Sequence, residues 1–163
     1  MGAQICGHGI QLEKELEAQV AGDAARLLQE ARHADWELSV ALTDDKGIRA
    51  LNNTWRQKDA ATDVLSFPQD VEGLLGDLVI SLETAARQAE SRGHGLVDEL
   101  RILLVHGFLH LCGYDHEESS EAHLEMATKE RELLGRLDWR GEGLISLAEA
   151  RLPGDGAPCG DAT

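Results

Sequence analysis

One stretch of the sequence, LLVHGFLHLCGYDH at residues 103–116, limits the possible folds more than any other. It is mostly apolar, and His106 and His110 are spaced so that both lie on one face of an α-helix. Gly113 follows the apolar run, where a glycine with positive φ can end a helix and reverse the chain. Such a reversal would bring His116 to the other two histidines. The pattern therefore predicts a buried helix whose end carries three converging imidazoles.

Three imidazoles around an open fourth position are typical of catalytic zinc. We therefore expect one Zn²⁺ ion bound by His106, His110 and His116. Copper, nickel and iron also accept imidazole ligands, so the ligand type alone leaves the metal open. The alternative is that His106 and His110 are packed core residues, in which case each ring needs a buried hydrogen-bond partner.

The histidine spacing is metzincin-like, but zinc proteases carry a glutamate directly after the first ligand, where this chain has Gly107. That glutamate takes a proton from water and delivers it to the leaving amine. A phosphodiester instead needs a cation near its phosphoryl oxygens, and a His-ligated zinc lowers the pKa of bound water to about 7 without a separate base. Gly107 therefore argues against peptide hydrolysis and is compatible with phosphoryl transfer.

The hydrophobic pattern predicts an α+β fold in which a small mixed sheet is covered by helices. Three strands are expected near residues 36–42, 64–67 and 77–81, the second closed by Pro68 and the third opened by Gly76, whereas no strand is evident in residues 1–10. Helices are expected over residues 11–32, from Asp44 or Asp45 through Trp55, and over residues 81–92, 96–112 and 119–137. The metal site would lie at the end of a core helix.

Composition favours a single domain. We assign residues 1–140 to one metal-hydrolase domain and residues 141–163 to a C-terminal extension, with disorder expected after about Arg151. The three cysteines are odd in number and far apart, which excludes a disulfide framework and a Cys-x-x-Cys zinc knuckle. The N-terminus resembles no signal peptide, and the apolar tracts are too short to cross a bilayer, so we expect a cytoplasmic protein without membrane partners.

Three blocks of sequence resemble the YbeY family of bacterial endoribonucleases, in the order that this family has them. They are LNNTWRQKDAATDVLSFP at 51–68, GDLVIS at 76–81 and the histidine block at 103–116, and the resemblance covers about residues 36–137. It implies a zinc-dependent, single-strand-specific endoribonuclease that matures the 16S RNA of the small ribosomal subunit and takes part in ribosome quality control. The implied partners are ribosomal RNA, the small subunit, and ribosomal proteins or an assembly GTPase.

The same resemblance implies site residues. The metal ligands are the three histidines already named, and the family's cleft arginine falls on Arg56. A guanidinium has the planar fork that suits phosphate oxygens, although a surface helix residue is the alternative for Arg56. Asp115, beside His116, is a candidate general base or hydrogen-bond partner of a ligating imidazole; a solvated turn aspartate is its alternative. Glu99 is expected to stabilise a helix N-terminus, and His123 to have a surface or capping role.

The charge balance disfavours a general RNA-binding protein, because 15 basic against 30 acidic residues give a net charge of -15. Residues 46–58 nevertheless hold four basic residues and no acid before Asp59. Overall repulsion with a local basic patch predicts an RNA presented in a defined place, such as a ribosomal particle. Two other interpretations remain open: a metal-stabilised ribosome-assembly factor with weak or incidental nuclease activity, and a metzincin-like peptidase.

Overall fold

The structure, a computed structural model, describes residues 2–33, 35–139, 141 and 143–145. Four strands and five helices follow one another along this part of the chain. They are β1 (Ala3–Gly7), α1 (Lys14–Glu30), β2 (Glu37–Thr43), α2 (Asp45–Arg56), β3 (Val64–Val71), β4 (Leu74–Ser81), α3 (Leu82–Arg92), α4 (Leu96–Leu111) and α5 (Ser120–Arg136). The predicted α+β class, with a small mixed sheet covered by helices, is confirmed.

The strands form one sheet in the order β1-β2-β4-β3. The pairs β1–β2 and β2–β4 are parallel, whereas β3 pairs antiparallel with β4 and lies at the edge of the sheet. β3 runs through Pro68, so the prediction that Pro68 closes this strand was wrong. An edge strand tolerates proline because one of its sides has no ladder to which an N–H must donate.

Two further strand predictions need correction. The first residues form β1, which pairs with β2 although AQICG shows little apolar alternation. β4 begins at Leu74, so Gly76 lies inside the strand, with a φ of 147°. A Cβ at Gly76 would approach the Phe67 carbonyl oxygen to 2.6 Å, which explains why glycine is needed there.

Side chains on the two faces of the sheet enter separate apolar clusters. On one face, Val40, Val64 and Leu78 pack with α1, α4 and α5 in the main core. On the other face, Leu65 and Val79 pack beneath Ile48 of α2 in a small cluster. Helix α4 is the central helix, since it contacts α1, α3, α5, β3 and β4. Its apolar sequence follows from burial on all sides.

Local hydrogen bonds fix the N-terminal ends of three helices, and the one at α2 was predicted. The side chains of Asp44, Ser81 and Ser119 accept from backbone N–H groups in the first turns of α2, α3 and α5.

Past α5, Ile145 is buried in the main core and Leu144 packs against it. The division at residue 140 stays a prediction, and the disorder expected after about Arg151 concerns residues outside the described ranges. None of the described helices is long and apolar enough to cross a membrane.

Candidate metal centre and phosphate site

His106 and His110 lie on one face of α4, one turn apart, as predicted. Their Nε2 atoms are 3.1 Å apart and their ring centroids 4.7 Å apart. This is the distance of a hydrogen bond between the two rings, and it is also near the separation of about 3.3 Å expected for two nitrogens bound at 2.0–2.1 Å to one tetrahedral ion. His106 is fully buried, whereas His110 is partly exposed. The pair therefore opens toward solvent on the His110 side.

The turn after α4 brings in His116. Gly113 has a φ of 99°, and the N–H groups of Gly113 and Tyr114 donate to the carbonyl oxygens of His110 and Leu109, each at 3.0 Å. This is the Schellman pattern of helix termination, which requires a residue with positive φ. The reversal places one possible ligand atom from each histidine within 4.8 Å of the others. The predicted convergence of His106, His110 and His116 is thus present in the structure.

His116 shows that this group is suited to a cation. It is 3% exposed, yet neither ring nitrogen has a hydrogen-bond partner among the described residues. Buried polar atoms almost always have a partner, and an ion is one that would satisfy an imidazole nitrogen. Burial lowers the pKa of all three histidines to about 4. They are therefore neutral at physiological pH, which is the ligand form.

Glu130 of α5 is a site residue that the sequence interpretation missed. Its Oε2 lies 2.6 Å from Nδ1 of His106, and both side chains are fully buried. Burial raises the pKa of Glu130 to about 7. A carboxylate that accepts from Nδ1 leaves Nε2 of His106 free to face the other histidines. The spacing of 24 residues hides this pair in sequence; the one available signal was an acid among the apolar positions of α5.

Two expectations for neighbouring residues need correction. His123 is not on the surface: it is 8% exposed, and its ring centroid lies 6.0 Å from that of His116. Glu99 does more than stabilise a helix end, because it is fully buried and its Oε1 lies 2.6 Å from Nε2 of His94. Cys112 is half-buried, and burial raises the pKa of its thiol to about 11, so it is a neutral packing residue.

Arg56, at the end of α2, reaches across to the outer side of β3. Its guanidinium donates to the carbonyl oxygen of Ser66 and lies 5.3 Å from the centroid of the Phe67 ring. The pKa of His110 is lowered mainly by burial and by His106, and the charge of Arg56 acts in the same direction. Arg56 is held in place by these two contacts, and Ser66 connects it to Gly107, the residue after His106.

Ser66 links the two parts of this region. Its carbonyl oxygen accepts from Arg56, and its hydroxyl donates to the carbonyl oxygen of Gly107 at 3.3 Å. Asp63, in the same sequence block, has a structural role. Its side chain accepts from the N–H of Val64 at 2.8 Å and from Gln88 at 3.2 Å. The TDVLSFP block is thus joined by hydrogen bonds to α2, α3 and α4.

Asp115 lies at the surface of the turn. Its Oδ1 accepts from the N–H of Glu117 at 3.0 Å, the hydrogen bond of a turn aspartate. Its charge is one of the smaller influences on His110, whose pKa it raises against the dominant effect of burial. This hydrogen bond orients the carboxylate toward the backbone of the turn. A role as general base stays a proposal.

Comparison with known proteins agrees with this geometry. The family model described as Endoribonuclease YbeY matches residues 8–138, which contain all three histidines and Arg56. The chain belongs to this family. Over 144 residues it is 49% identical to the endoribonuclease YbeY of Anaeromyxobacter dehalogenans, covering 86% of this chain and 69% of that protein. The family description identifies its members as endoribonucleases, which are nucleases.

Two other similarities extend the comparison. Over 118 residues the chain is 57% identical to the chloroplastic endoribonuclease YBEY of Arabidopsis thaliana, covering 69% of this chain but 20% of the plant protein. The YbeY-type domain therefore corresponds to about a fifth of that relative. A solution structure from Thermotoga maritima superposes with a TM-score of 0.59 at 26% identity, covering 83% of this chain and 91% of the other.

Proposed function

We propose that this protein is a zinc-dependent, single-strand-specific endoribonuclease of the cytoplasm. In this proposal it matures the 16S RNA of the small ribosomal subunit and takes part in ribosome quality control. The observation that carries the proposal is the convergence of three imidazoles, one of which has two buried nitrogens without a partner among the described residues. Membership of an endoribonuclease family gives this arrangement its substrate class.

The residues that would hold the ion are His106, His110 and His116. When bound, a zinc ion would supply Lewis acidity and water of lowered pKa, about 7 in known three-histidine sites. Burial keeps the three imidazoles neutral, and Glu130 holds the ring of His106 in one orientation. The chain thus provides a donor set in the correct protonation state before any ion arrives.

Arg56 would bind the scissile phosphate. In hydrolysis a water oxygen bonds to phosphorus, a P–O ester bond breaks, and the water proton ends on the leaving oxygen or in solvent. Negative charge grows on the non-bridging oxygens, and a guanidinium fixed by Ser66 and Phe67 needs little reorganisation to stabilise it. Asp115 is the proposed proton acceptor nearest in sequence to the ligands.

An exposed aromatic side chain supports the preference for single strands. Trp55, directly before Arg56, is 66% exposed at the end of α2. Unpaired bases stack on such platforms, and each stack is worth roughly 1–3 kcal/mol. A base in a duplex must first be unpaired and unstacked, which costs a few kcal/mol. Trp55 and Arg56 together offer one stacking surface and one phosphate contact at adjacent positions of the chain.

The electrostatics favour a substrate delivered by a partner. The basic stretch is weaker than its sequence suggests, because Arg49 is neutralised by Asp59 at 2.8 Å and Arg56 is half-buried over Phe67. A chain of net charge -15 gains little from free RNA at a distance. We therefore propose that the small ribosomal subunit, with its ribosomal proteins or an assembly GTPase, presents the RNA.

The test compares two charge reversals on the same helix. In zinc-loaded protein, Arg56→Glu should lower kcat on a single-stranded ribosomal precursor by roughly 10²–10³-fold, the effect of losing one transition-state donor. Arg49→Glu, which breaks only an exposed ion pair, should stay near wild type. Trp55→Ala should raise KM on single-stranded RNA, and Trp55→Phe should restore it.

Three results would contradict the proposal. Equal losses in both arginine variants would show that charge, and not the position of Arg56, matters. Binding to small subunits without any cleavage would favour an assembly factor. Turnover of a peptide library that survives Arg56→Glu would favour a peptidase.

A further inference from the structure

A short C-terminal segment closes over the acid that contacts His106. This segment, residues 143–145, is called the strap below. Oε1 of Glu130 accepts from the N–H of Ile145 at 3.1 Å, and the backbone of Leu144 also hydrogen-bonds this carboxylate. Oε2 of the same group lies 2.6 Å from Nδ1 of His106. Glu130 thus joins the strap on one side to a metal-ligand candidate on the other.

The strap fits too closely for this contact to be a loose surface one. Ile145 is 5% exposed and belongs to the main core, and Glu130 is fully buried. A Cβ at position 143 would come within 2.2 Å of Oε1 and 2.9 Å of Cβ of Glu130, so only glycine permits this approach. The strap also lies beyond residue 138, the last that the family model matches. It is a part of this chain that the family resemblance leaves without a role.

We infer that the strap positions Glu130, and that Glu130 in turn fixes His106 with Nε2 directed at His110 and His116. Glu130 and the strap are positioning elements that act through His106. The inference rests on the proposed metal site and adds a further contributor to it.

The physical reason lies in the two nitrogens of imidazole. A neutral ring carries one proton, and the partner of Nδ1 decides which nitrogen is left with a free lone pair. A carboxylate held 2.6 Å from Nδ1 favours the proton there and leaves Nε2 as the ligand. A buried carboxylate holds its position best when its other oxygen is also satisfied, and here the backbone of Ile145 and Leu144 supplies those partners.

The experiment measures zinc affinity of the full-length protein by competition with a chromophoric chelator. Glu130→Gln should weaken zinc binding by roughly 10–100-fold, the usual effect of losing a ligand's outer partner. Ile145→Pro removes the amide hydrogen and should weaken it in the same direction, whereas Ile145→Val keeps both the amide and the apolar contact. Glu132→Gln, on the exposed side of α5, is the matched control and should match wild type.

A double-mutant cycle separates positioning from general damage. If the strap acts through Glu130, Ile145→Pro should change the dissociation constant less than about twofold in the Glu130→Gln background. Gly143→Ala, which places a methyl group against Glu130, should reproduce the effect of Ile145→Pro. Full additivity of Ile145→Pro and Glu130→Gln would overturn the inference.

A second readout needs no metal. Above pH 7, where Glu130 is ionised, the ¹⁵N shifts of His106 in metal-free protein should show a proton on Nδ1 in the wild type and a mixture of tautomers in Gly143→Ala and Ile145→Pro. Unchanged tautomers in both variants would overturn the inference even if zinc affinity fell. Failure of wild-type protein to bind zinc would instead refute the proposed metal site, and the tautomer measurement would still decide the role of the strap.

Discussion

Gly107 allows α4 to lie close to the sheet, and replacing it with alanine tests this directly. A Cβ at position 107 would lie 2.7 Å from Cδ2 of Leu78, 3.2 Å from Cγ2 of Val64 and 3.3 Å from Oγ of Ser66. Leu78 and Val64 have no exposed surface, so neither can move aside into solvent. Overpacking of this kind costs roughly 1–3 kcal/mol. Glycine in a helix is itself about 1 kcal/mol less favourable than alanine, which offsets part of that cost.

A second glycine provides the matched control. Gly135 lies in α5 with nothing within 4 Å of an added Cβ, so Gly135→Ala should stabilise the protein by roughly 0.5–1 kcal/mol. The two variants share the gain in helix propensity, and the difference between their free energies of unfolding isolates the overpacking term. We expect Gly107→Ala to be less stable than Gly135→Ala by roughly 1–3 kcal/mol.

Urea unfolding followed by circular dichroism, on metal-free protein, measures both values. In thermal unfolding of the same two variants, the melting temperatures should differ by roughly 2–4 °C for each kcal/mol of difference in stability. Gly107→Glu should destabilise the fold much more, because its carboxylate would enter the same apolar contact. If Gly107→Ala is stabilised as much as Gly135→Ala, α4 does not lie this close to the sheet. The structural reason for excluding a protease-type glutamate would then be refuted.

Two further predictions concern the turn and the titration of the site. Gly113→Ala and Gly93→Ala both place alanine at positive φ and should cost similar stability, but only Gly113→Ala should weaken zinc binding, as chelator competition would show. Equal zinc affinities would contradict a role for the turn in the site. In metal-free protein, burial lowers the pKa of the three site histidines from 6.5 to about 4, so the unfolded chain binds more protons between these values and stability should rise with pH. Burial raises the pKa of Glu130 from 4.5 to about 7, so the folded protein holds this proton more strongly and the rise in stability with pH is smaller. Near the middle of the range the unfolded chain then binds roughly two more protons than the folded protein, and this difference sets the slope of stability against pH. Urea titrations at several pH values measure that slope, and a flat profile would contradict the burial of these groups.

Local patterns in the sequence predicted the helical part of the site well. The spacing of His106 and His110, with Gly113 behind them, was sufficient because helix periodicity and a left-handed terminating residue are local properties. The capping residue of α2 was visible for the same reason. The structure places His116 as this reasoning expects, while the identity of the ion stays a prediction.

Partners far apart in the chain could not be predicted in this way. The pairing of Glu130 with His106 and of Ile145 with Glu130 depends on how α5 packs on α4, which no periodicity encodes. β1 was missed because a short edge strand can pair through its backbone with little help from its side chains. Gly107 was interpreted only as a missing acid, although its close contact with the sheet gives it a packing role.

The position of Arg56 follows from the sheet order. β3 is an edge strand, so the carbonyl oxygen of Ser66 is available to a side chain from outside the sheet. α2 packs on one face of the sheet and α4 on the other. Ser66 connects the two helices, because its carbonyl oxygen accepts from Arg56 of α2 and its hydroxyl donates to Gly107 of α4. An additional strand paired with β3 would compete with Arg56 for the Ser66 carbonyl oxygen. Among the described residues no strand covers this edge, which the proposed chemistry requires, and Pro68 and the Arg56 contact help to protect it from pairing with another chain.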